Sequence, residues 1–483
     1  MNAPTHVSEP LDPHAVPPTL PPEPPPNAPP NADENEPAYG VDSAFVAQVE
    51  ALLRAGRVGA VRAEVEDLHA ADIADLIEQI DPALREDMVE VLRPGFDAEV
   101  LSYLNPGLRD AVVEVFEPKE LAAAVAELDT DDAADVIGGM DDETRAAVLE
   151  NLPAEDRALV QENLAYGEDT AGRLMQRALV AVPQFWTVGQ TIGHLRATAD
   201  DGPEDFHAVF VVDPLHRVMG TLPLARLLRH TPDTPVSGLI DDDFHTIPAT
   251  MDQEEVANLF RQYALVSAPV VDAAERLIGV VTVDDVVHVI DEEAGDDLLK
   301  MGGVGDAGVY QSVLKTARAR VVWLVVNLGT AFLASAVIAQ FEATIEKIVA
   351  LAVLMPIVAS MGGNAGTQTV TVAVRALATR QLLPSNAVRL LNKELVVGII
   401  NGVVFAVMVG LIAGAWFDAM IGVVIACAMV INLFVAALFG MLIPLGLERL
   451  GADPAVASTV FLTTVTDVVG FFSFLGLAAA ILL

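Results

Sequence analysis

Apolar positions change their spacing twice along the chain. From about residue 42 to 166 they recur with helical spacing, and residues that open helices return about every twelve positions, at Pro82, Pro94, Pro106, Pro118, Thr130, Asp142 and Pro153. Proline suits the first position of a helix, where the missing N–H has no partner to lose. One short helix cannot bury its apolar face alone, so this pattern predicts helices stacked into a superhelix. From about 170 to 290 the pattern becomes alternating strands and helices, and it repeats. A β-branched run at 208–213 leads through an Asp turn to 218–222, and a matching run at 268–272 leads to 277–281. Each pair predicts a β-hairpin, followed by a helix at 224–228 or 284–287. Beyond Arg318 come five apolar runs, at about 321–340, 348–374, 395–417, 419–447 and 454–483. About 20 residues cross a bilayer core, so each run is long enough to span one. A buried soluble core would instead need five such helices with almost no polar face.

Charge sharpens this division. The mean hydropathy is +0.45, yet the formal net charge is −40, and nearly all the acid lies before about residue 300. An acidic front and an apolar back predict a cytosolic module fused to a membrane module. Such a surface repels nucleic acid and anionic lipid and attracts cations, although any single surface acid can be there only for solvation. The segment 291–300 carries Asp291, Glu292, Glu293, Asp296 and Asp297, a density of like charge that is unfavourable on a helix unless a cation relieves it. Residues 1–40 are rich in Pro, Asn and Glu and predict a disordered tail with no signal peptide, leaving the N-terminus in the cytosol. The one cysteine, Cys427, excludes an intrachain disulfide and reads as a packing residue.

Basic residues orient the spans. Arg318 and Arg320 precede the first; Arg375, Arg380, Arg389 and Lys393 separate the second from the third; Arg449 separates the fourth from the fifth. The intervening loops carry only Lys347 or Asp418. By the positive-inside rule the first group faces the cytosol and the C-terminus lies outside.

Two features within the spans do not suit lipid. The second span holds Met361-Gly362-Gly363-Asn364-Ala365-Gly366-Thr367-Gln368-Thr369, in which glycines point to close helix packing and the amides and hydroxyls to a pore wall. The fifth holds Asp467 among Thr463, Thr464 and Thr466, and reads as the only acid deep inside a span. A carboxylate there costs roughly 2.5–3.5 kcal/mol unless it is paired or wet. No Lys, Arg or His within the spans can pair with it, so its expected partner is a cation in water; the alternative is a protonated Asp bonded to the threonines. No histidine follows His288 and there is no thiolate cluster, so soft-metal ligands are missing and the oxygen ligands suit Mg²⁺, Ca²⁺ or Mn²⁺. Mg²⁺ dehydrates reluctantly and keeps several waters. One Asp is a thin site, which favours two chains around a shared axis.

The two hairpin–helix units at 167–290 resemble a tandem pair of cystathionine-β-synthase (CBS) domains. With the helical repeat domain at 41–166, the acidic connecting helix at 291–318 and the five-helix pore domain at 319–483, the chain resembles the MgtE family of magnesium channels. The most specific motifs are Pro356-Ile357-Val358-Ala359-Ser360-Met361-Gly362-Gly363-Asn364-Ala365-Gly366-Thr367-Gln368, and Asp453-Pro454-Ala455-Val456-Ala457-Ser458 leading to Thr464-Val465-Thr466-Asp467. The resemblance implies a multidomain membrane protein: α-helical superhelix, α/β CBS pair and all-α membrane domain. It also implies a homodimer in the inner membrane with its pore on the two-fold axis. Asp467 then matches the pore aspartate that binds hydrated Mg²⁺, Asn364 a conducting-path asparagine, and Thr463 a pore-lining carbonyl, with Gly363 beside them. Thr459 stands where some relatives carry Asn, and His288 where some carry an acid. Regulatory Mg²⁺ is implied at Asp131 and Asp135 of the repeat domain and at Asp285, Glu293, Asp296 and Asp297, and ATP is a further ligand that some CBS pairs take.

Other readings compete. A transporter of Co²⁺ or Mn²⁺ with nucleotide regulation would share this architecture. An intramembrane metalloprotease would need a His-Glu-x-x-His span, and the spans contain no His. A nucleotide sensor with a structural membrane half would leave Asp467 without a role.

Overall fold

The fold comes from a computed structural model and describes residues 40–198, 202–203, 206–241, 243–304, 313–382, 385–456 and 458–483. The expected tail, except Gly40, and positions 305–312 of the connecting segment lie outside the described residues.

The helical repeat forms as the spacing predicts. Helices begin at Pro106, Pro118, Thr130 and Asp142, and a short 3₁₀ turn begins at Pro82. Asp81 and Asn105 cap their proline-started turns by accepting from the backbone N–H of Ala83 and Gly107, both at 3.1 Å. Pro94 departs from the pattern, because it sits in a turn and the next helix starts at Glu99. One continuous core runs through the stack, from Val49 through Leu76, Leu101 and Ile137 to Val160.

Each CBS unit is a three-stranded sheet. In the first, β1 (Ala181–Pro183) runs parallel to β2 (Ala208–Val212), which pairs antiparallel with β3 (Val218–Pro223). In the second, β4 (Ile247–Pro248), β5 (Ser267–Val271) and β6 (Leu277–Thr282) repeat the order. The hairpin turns share their chemistry. Asp213 Oδ1 accepts from the N–H of Leu215 and Arg217, and Asp272 Oδ1 from those of Ala274 and Arg276. Gly220 and Gly279 occupy equivalent places, and a Cβ on Gly279 would lie 2.9 Å from the carbonyl oxygen of Gln176. The two copies differ in the helix that succeeds the hairpin. After β3 it is one turn, Leu224–Leu227, whereas after β6 a single helix runs from Val283 to Met301. The acidic segment is therefore continuous with the helix of the second CBS unit.

Five helices are long and apolar enough to cross a membrane: Val313–Ala339, Ala350–Ala378, Ala387–Trp416, Ala419–Arg449 and Ser458–Leu482, the first to fifth spans. The third and fourth lie closest, because Gly398, Gly402, Gly410 and Gly414 meet Ala437, Val430, Ala426 and Gly422. Such small faces let helix backbones approach. Asn432 fastens the second, fourth and fifth spans. It is fully buried, donates to the carbonyl of Val358 at 2.8 Å, and occupies space that Gly362 and Gly470 leave by lacking side chains. The spans meet the CBS side at several points. Asn258 donates to the carbonyl of Ala378 at 3.4 Å, Arg380 pairs with Glu255 at 2.9 Å, and Lys300 pairs with Asp453 at 3.3 Å.

A Cβ on Gly422 would meet the carbonyl oxygen of Gly410, which is backbone and cannot step aside. Gly422→Leu is expected to destabilise the membrane domain by about 1–3 kcal/mol or more. Gly446→Ala, which meets nothing within 4 Å, should be neutral. Thermal unfolding of the detergent-solubilised chain followed by near-UV circular dichroism checks both.

Candidate ion path and sensing interfaces

The second span divides its polar motif between two faces. Gly362 and Gly366 are buried and serve packing; a Cβ on Gly366 would meet the Leu462 side chain at 2.6 Å. Ser360, Asn364, Thr367 and Thr371 form an exposed stripe. Among the described residues its groups bond only along their own helix: Asn364 Nδ2 to Ser360 Oγ at 3.4 Å, Thr367 Oγ1 to the Gly363 carbonyl and Thr371 Oγ1 to the Thr367 carbonyl, both at 2.9 Å. Gly363 faces the fifth span, with 3.9 Å between the position of a Cβ there and Thr463 Cγ2. Asp467 lies one turn beyond Thr463 and is half-buried. Among the described residues it makes no ion pair. The structure thus brings Gly363 and Thr463 together and leaves Asn364 uncovered in a single chain.

Thr463 Oγ1 donates to the carbonyls of Thr459 and Val460, both at 3.0 Å. Thr459 turns the other way, and its hydroxyl donates to the carbonyl of Met301 at 3.1 Å. Thr459 is therefore tied to the last residue of the acidic helix. A cavity of about 410 Å³ lies alongside, bounded by Gly303, Arg320, Trp323, Asn327, Thr459 and Thr463.

Two acidic interfaces meet along the Val283–Met301 helix. On one, Asp131 of the repeat domain faces Asp285. Asp131 is 6 % exposed, and its Oδ1 has no hydrogen-bond partner. Burial, with Asp285 next in effect, pushes its carboxyl well above the usual range. Burial and the neighbouring Asp284 raise Asp285 to about 7, against the donation of Thr282 Oγ1 at 2.8 Å, and burial with Asp129 raises Asp132 to about 6. An orphaned, buried carboxylate oxygen facing a second acid fits a cation site. His288 lies nearby on the helix, its ring 6.1 Å from that of Tyr103. Asp135 stands apart from this pair. It is held by Arg109 at 2.6 Å, and on the helix it acts, after burial, to raise Glu292.

On the other interface, Glu293 accepts from Gln253 at 2.8 Å, and beside it burial followed by Glu293 and Asp297 raises Glu254 to about 7. Asp297 is raised by burial and then by Asp453 of the loop before the fifth span. Asp296 shares Lys300 with Asp453, at 3.7 and 3.3 Å. Glu254, Asp453, Asp132 and Glu292 were not legible as candidates in the sequence. Asp453 could have been suspected, because it opens the motif that leads to Asp467. Among the described residues no three acids converge into a ready-made metal cage, so the carboxylates oppose one another in pairs across interfaces.

The third helix begins at Ala387, earlier than its apolar run, so Glu394 lies within it, next to Lys393 at the edge of that run, and is 8 % exposed. Lys393 and Asn392 beside it had drawn the apolar boundary too late.

Three family models match: MgtE, a divalent cation transporter, over 355–477; the MgtE intracellular N domain over 68–169; and the CBS domain over 236–292. The magnesium transporter MgtE of Thermus thermophilus is 36% identical over 320 residues, which cover 66% of this chain and 71% of that protein. The chain belongs to the MgtE family. The magnesium transporter MgtE of Enterococcus faecalis is 33% identical over 317 residues, covering 65% of this chain and 70% of that one. Among solved structures, the cytosolic domain of the Mg²⁺ channel MgtE in complex with ATP is 32% identical with a TM-score of 0.47, over 50% of this chain and 99% of that one. As a member of a magnesium transporter family, with CBS domains and membrane-spanning helices, the chain is a multidomain membrane protein.

The raised acids set a pH dependence for the metal-free state. A carboxyl with a higher pKa in the docked state than when solvated keeps its proton on docking. Docking of the repeat domain on the acidic helix is then strongest below the ordinary carboxylate range and weakens as pH rises through about 7. In EDTA, spin labels on the repeat domain and second CBS unit should move apart between pH 5 and 8 in double electron–electron resonance. Asp131→Asn with Asp285→Asn should flatten that change.

Proposed function

We propose that this chain forms a homodimeric Mg²⁺ channel of the inner membrane, closed by cytosolic Mg²⁺ at its acidic interfaces. The observation that carries the reading is the uncovered stripe Ser360, Asn364, Thr367 and Thr371, together with the half-buried Asp467 on the fifth span, which Gly363 faces. Amides, hydroxyls and a carboxylate cannot face hydrocarbon without a cost of several kcal/mol. A second copy related by a two-fold axis would enclose them around water. Asp467 then holds a hydrated ion, with Asn364, Thr463 and Gly363 lining the way. The oxygen-only donor set suits Mg²⁺; excess Mn²⁺ or Co²⁺ should compete poorly for uptake, and strong competition would favour the wider divalent reading.

Gating rests on the sensing acids. Asp131 with Asp285 would hold regulatory Mg²⁺ on the repeat-domain side, and Glu293, Asp296 and Asp297 on the membrane side. The ion supplies there the positive charge that facing carboxylates lack. Its effect on the gate equals its preference for the closed arrangement over the open one. The orientation places the N-terminus and CBS pair in the cytosol and the C-terminus outside. This accords with Arg375, Arg380 and Arg449 lying on the side of the CBS units and Lys347 on the other. No residue is assigned to ATP.

Patch-clamp recording from proteoliposomes tests the reading. Current should fall as cytosolic Mg²⁺ rises, and Asp467→Ala should abolish it. Asp296→Asn with Asp297→Asn should leave conduction and weaken inhibition at least about tenfold in Mg²⁺, the loss expected for some 1.4 kcal/mol of differential binding. A double variant inhibited like the parent removes these acids from the sensor, and full flux through Asp467→Ala removes that residue from the path.

A further inference from the structure

Glu394 has no role in the ion path along the fifth span, yet its setting is demanding. It is 8 % exposed on the third span and, among the described residues, makes neither an ion pair nor a hydrogen bond. It borders a cavity of about 200 Å³ between the second, third and fourth spans. Gln368 of the second span and Asn401 of the third line the same cavity, with Leu433 and Ala437 of the fourth span forming an apolar wall. Gly398, one turn from Glu394, brings that wall close, since a Cβ there would be 2.6 Å from that of Ala437. Gln368 is exposed, which leaves the cavity a polar mouth. Thr369 also lines it, but its hydroxyl donates back to the Ala365 carbonyl at 3.3 Å and offers only lone pairs.

The donor set is one carboxylate, two amide oxygens and a hydroxyl, all hard oxygen ligands. The charge decides the class of ion. One carboxylate neutralises one positive charge, whereas a dication would leave a net charge against the apolar wall of Leu433 and Ala437. The cavity also has room for water to complete the coordination.

We propose that this cavity is a monovalent-cation site, with Glu394 as its charged ligand and Gln368 and Asn401 as neutral ones. It is distinct from the site at Asp467, because its residues line a cavity on the third-span side of the second helix and none belongs to the fifth span. A bound sodium-sized ion there joins three spans and raises the stability of the bundle in proportion to its occupancy.

Thermal unfolding of the full chain in EDTA, with NaCl replaced stepwise by N-methyl-D-glucamine chloride at constant ionic strength, tests this. The melting temperature of the parent should rise with Na⁺. Asp467→Asn should keep that increment and Glu394→Gln should lose it. An equal increment in Glu394→Gln overturns the site, as does a parent that melts alike in both salts, which would mean the cavity holds water only. Should Glu394→Gln fail to fold, Asn401→Leu should shift the Na⁺ midpoint about tenfold upward, as expected for one lost ligand to a charged group, and an unchanged midpoint again overturns the proposal.

Discussion

Negative charge placed where solvent cannot fully neutralise it is the constraint around which this molecule is organised. Asp131 and Asp285 oppose each other across the face between the repeat domain and the acidic helix, and neither has a basic partner among the described residues. Glu254, Glu293 and Asp297 crowd one another between the second CBS unit and the membrane domain, with Arg380 and Lys300 offsetting them only in part. Removing such groups from water is tolerable only if a proton or a cation arrives with them. The packing is thereby conditional on the ionic composition around it, and apolar cores on either side supply the rigidity that makes the condition matter.

The membrane domain follows the same logic with different means. Glycine and alanine bring the third and fourth spans together, Asn432 pins three spans, and hydroxyls bond back to their own helices. These devices pack the interior of one chain and leave a polar strip uncovered on its surface. In water such a strip would be ordinary. In hydrocarbon it demands a neighbour, which is why the asymmetry between buried Gly362 and exposed Asn364 says more than the motif's composition does.

Much of this was legible in the residues. Proline at helix starts, the repeated Asp-turn hairpins and the five apolar runs each rest on local chemistry, and local chemistry needs no partner chain to be read. Asp467 stood out because it was isolated in an apolar run. Glu394 did not, because Asn392 and Lys393 masked the start of its helix. Asp453 and Glu254 were hidden for a different reason. Their significance lies in facing Asp297, and facing is a property of tertiary packing between segments far apart in sequence. The same holds for Asp135, whose pairing with Arg109 cannot be read from the run that contains it.

The continuity of the acidic helix from Val283 to Met301 has a mechanical side. At 1.5 Å per residue it is a rod of roughly 27 Å. One end is rooted in the second CBS sheet, and the other is hooked to Thr459 at the start of the fifth span. A tilt of about 10° at the sheet would carry the far end by roughly 5 Å, close to one helical turn. Under the proposed gating, a small rearrangement of charge beside Asp285 would be geared up before it reached the threonines, and a large domain swing would not be needed to shift the helix that carries Asp467.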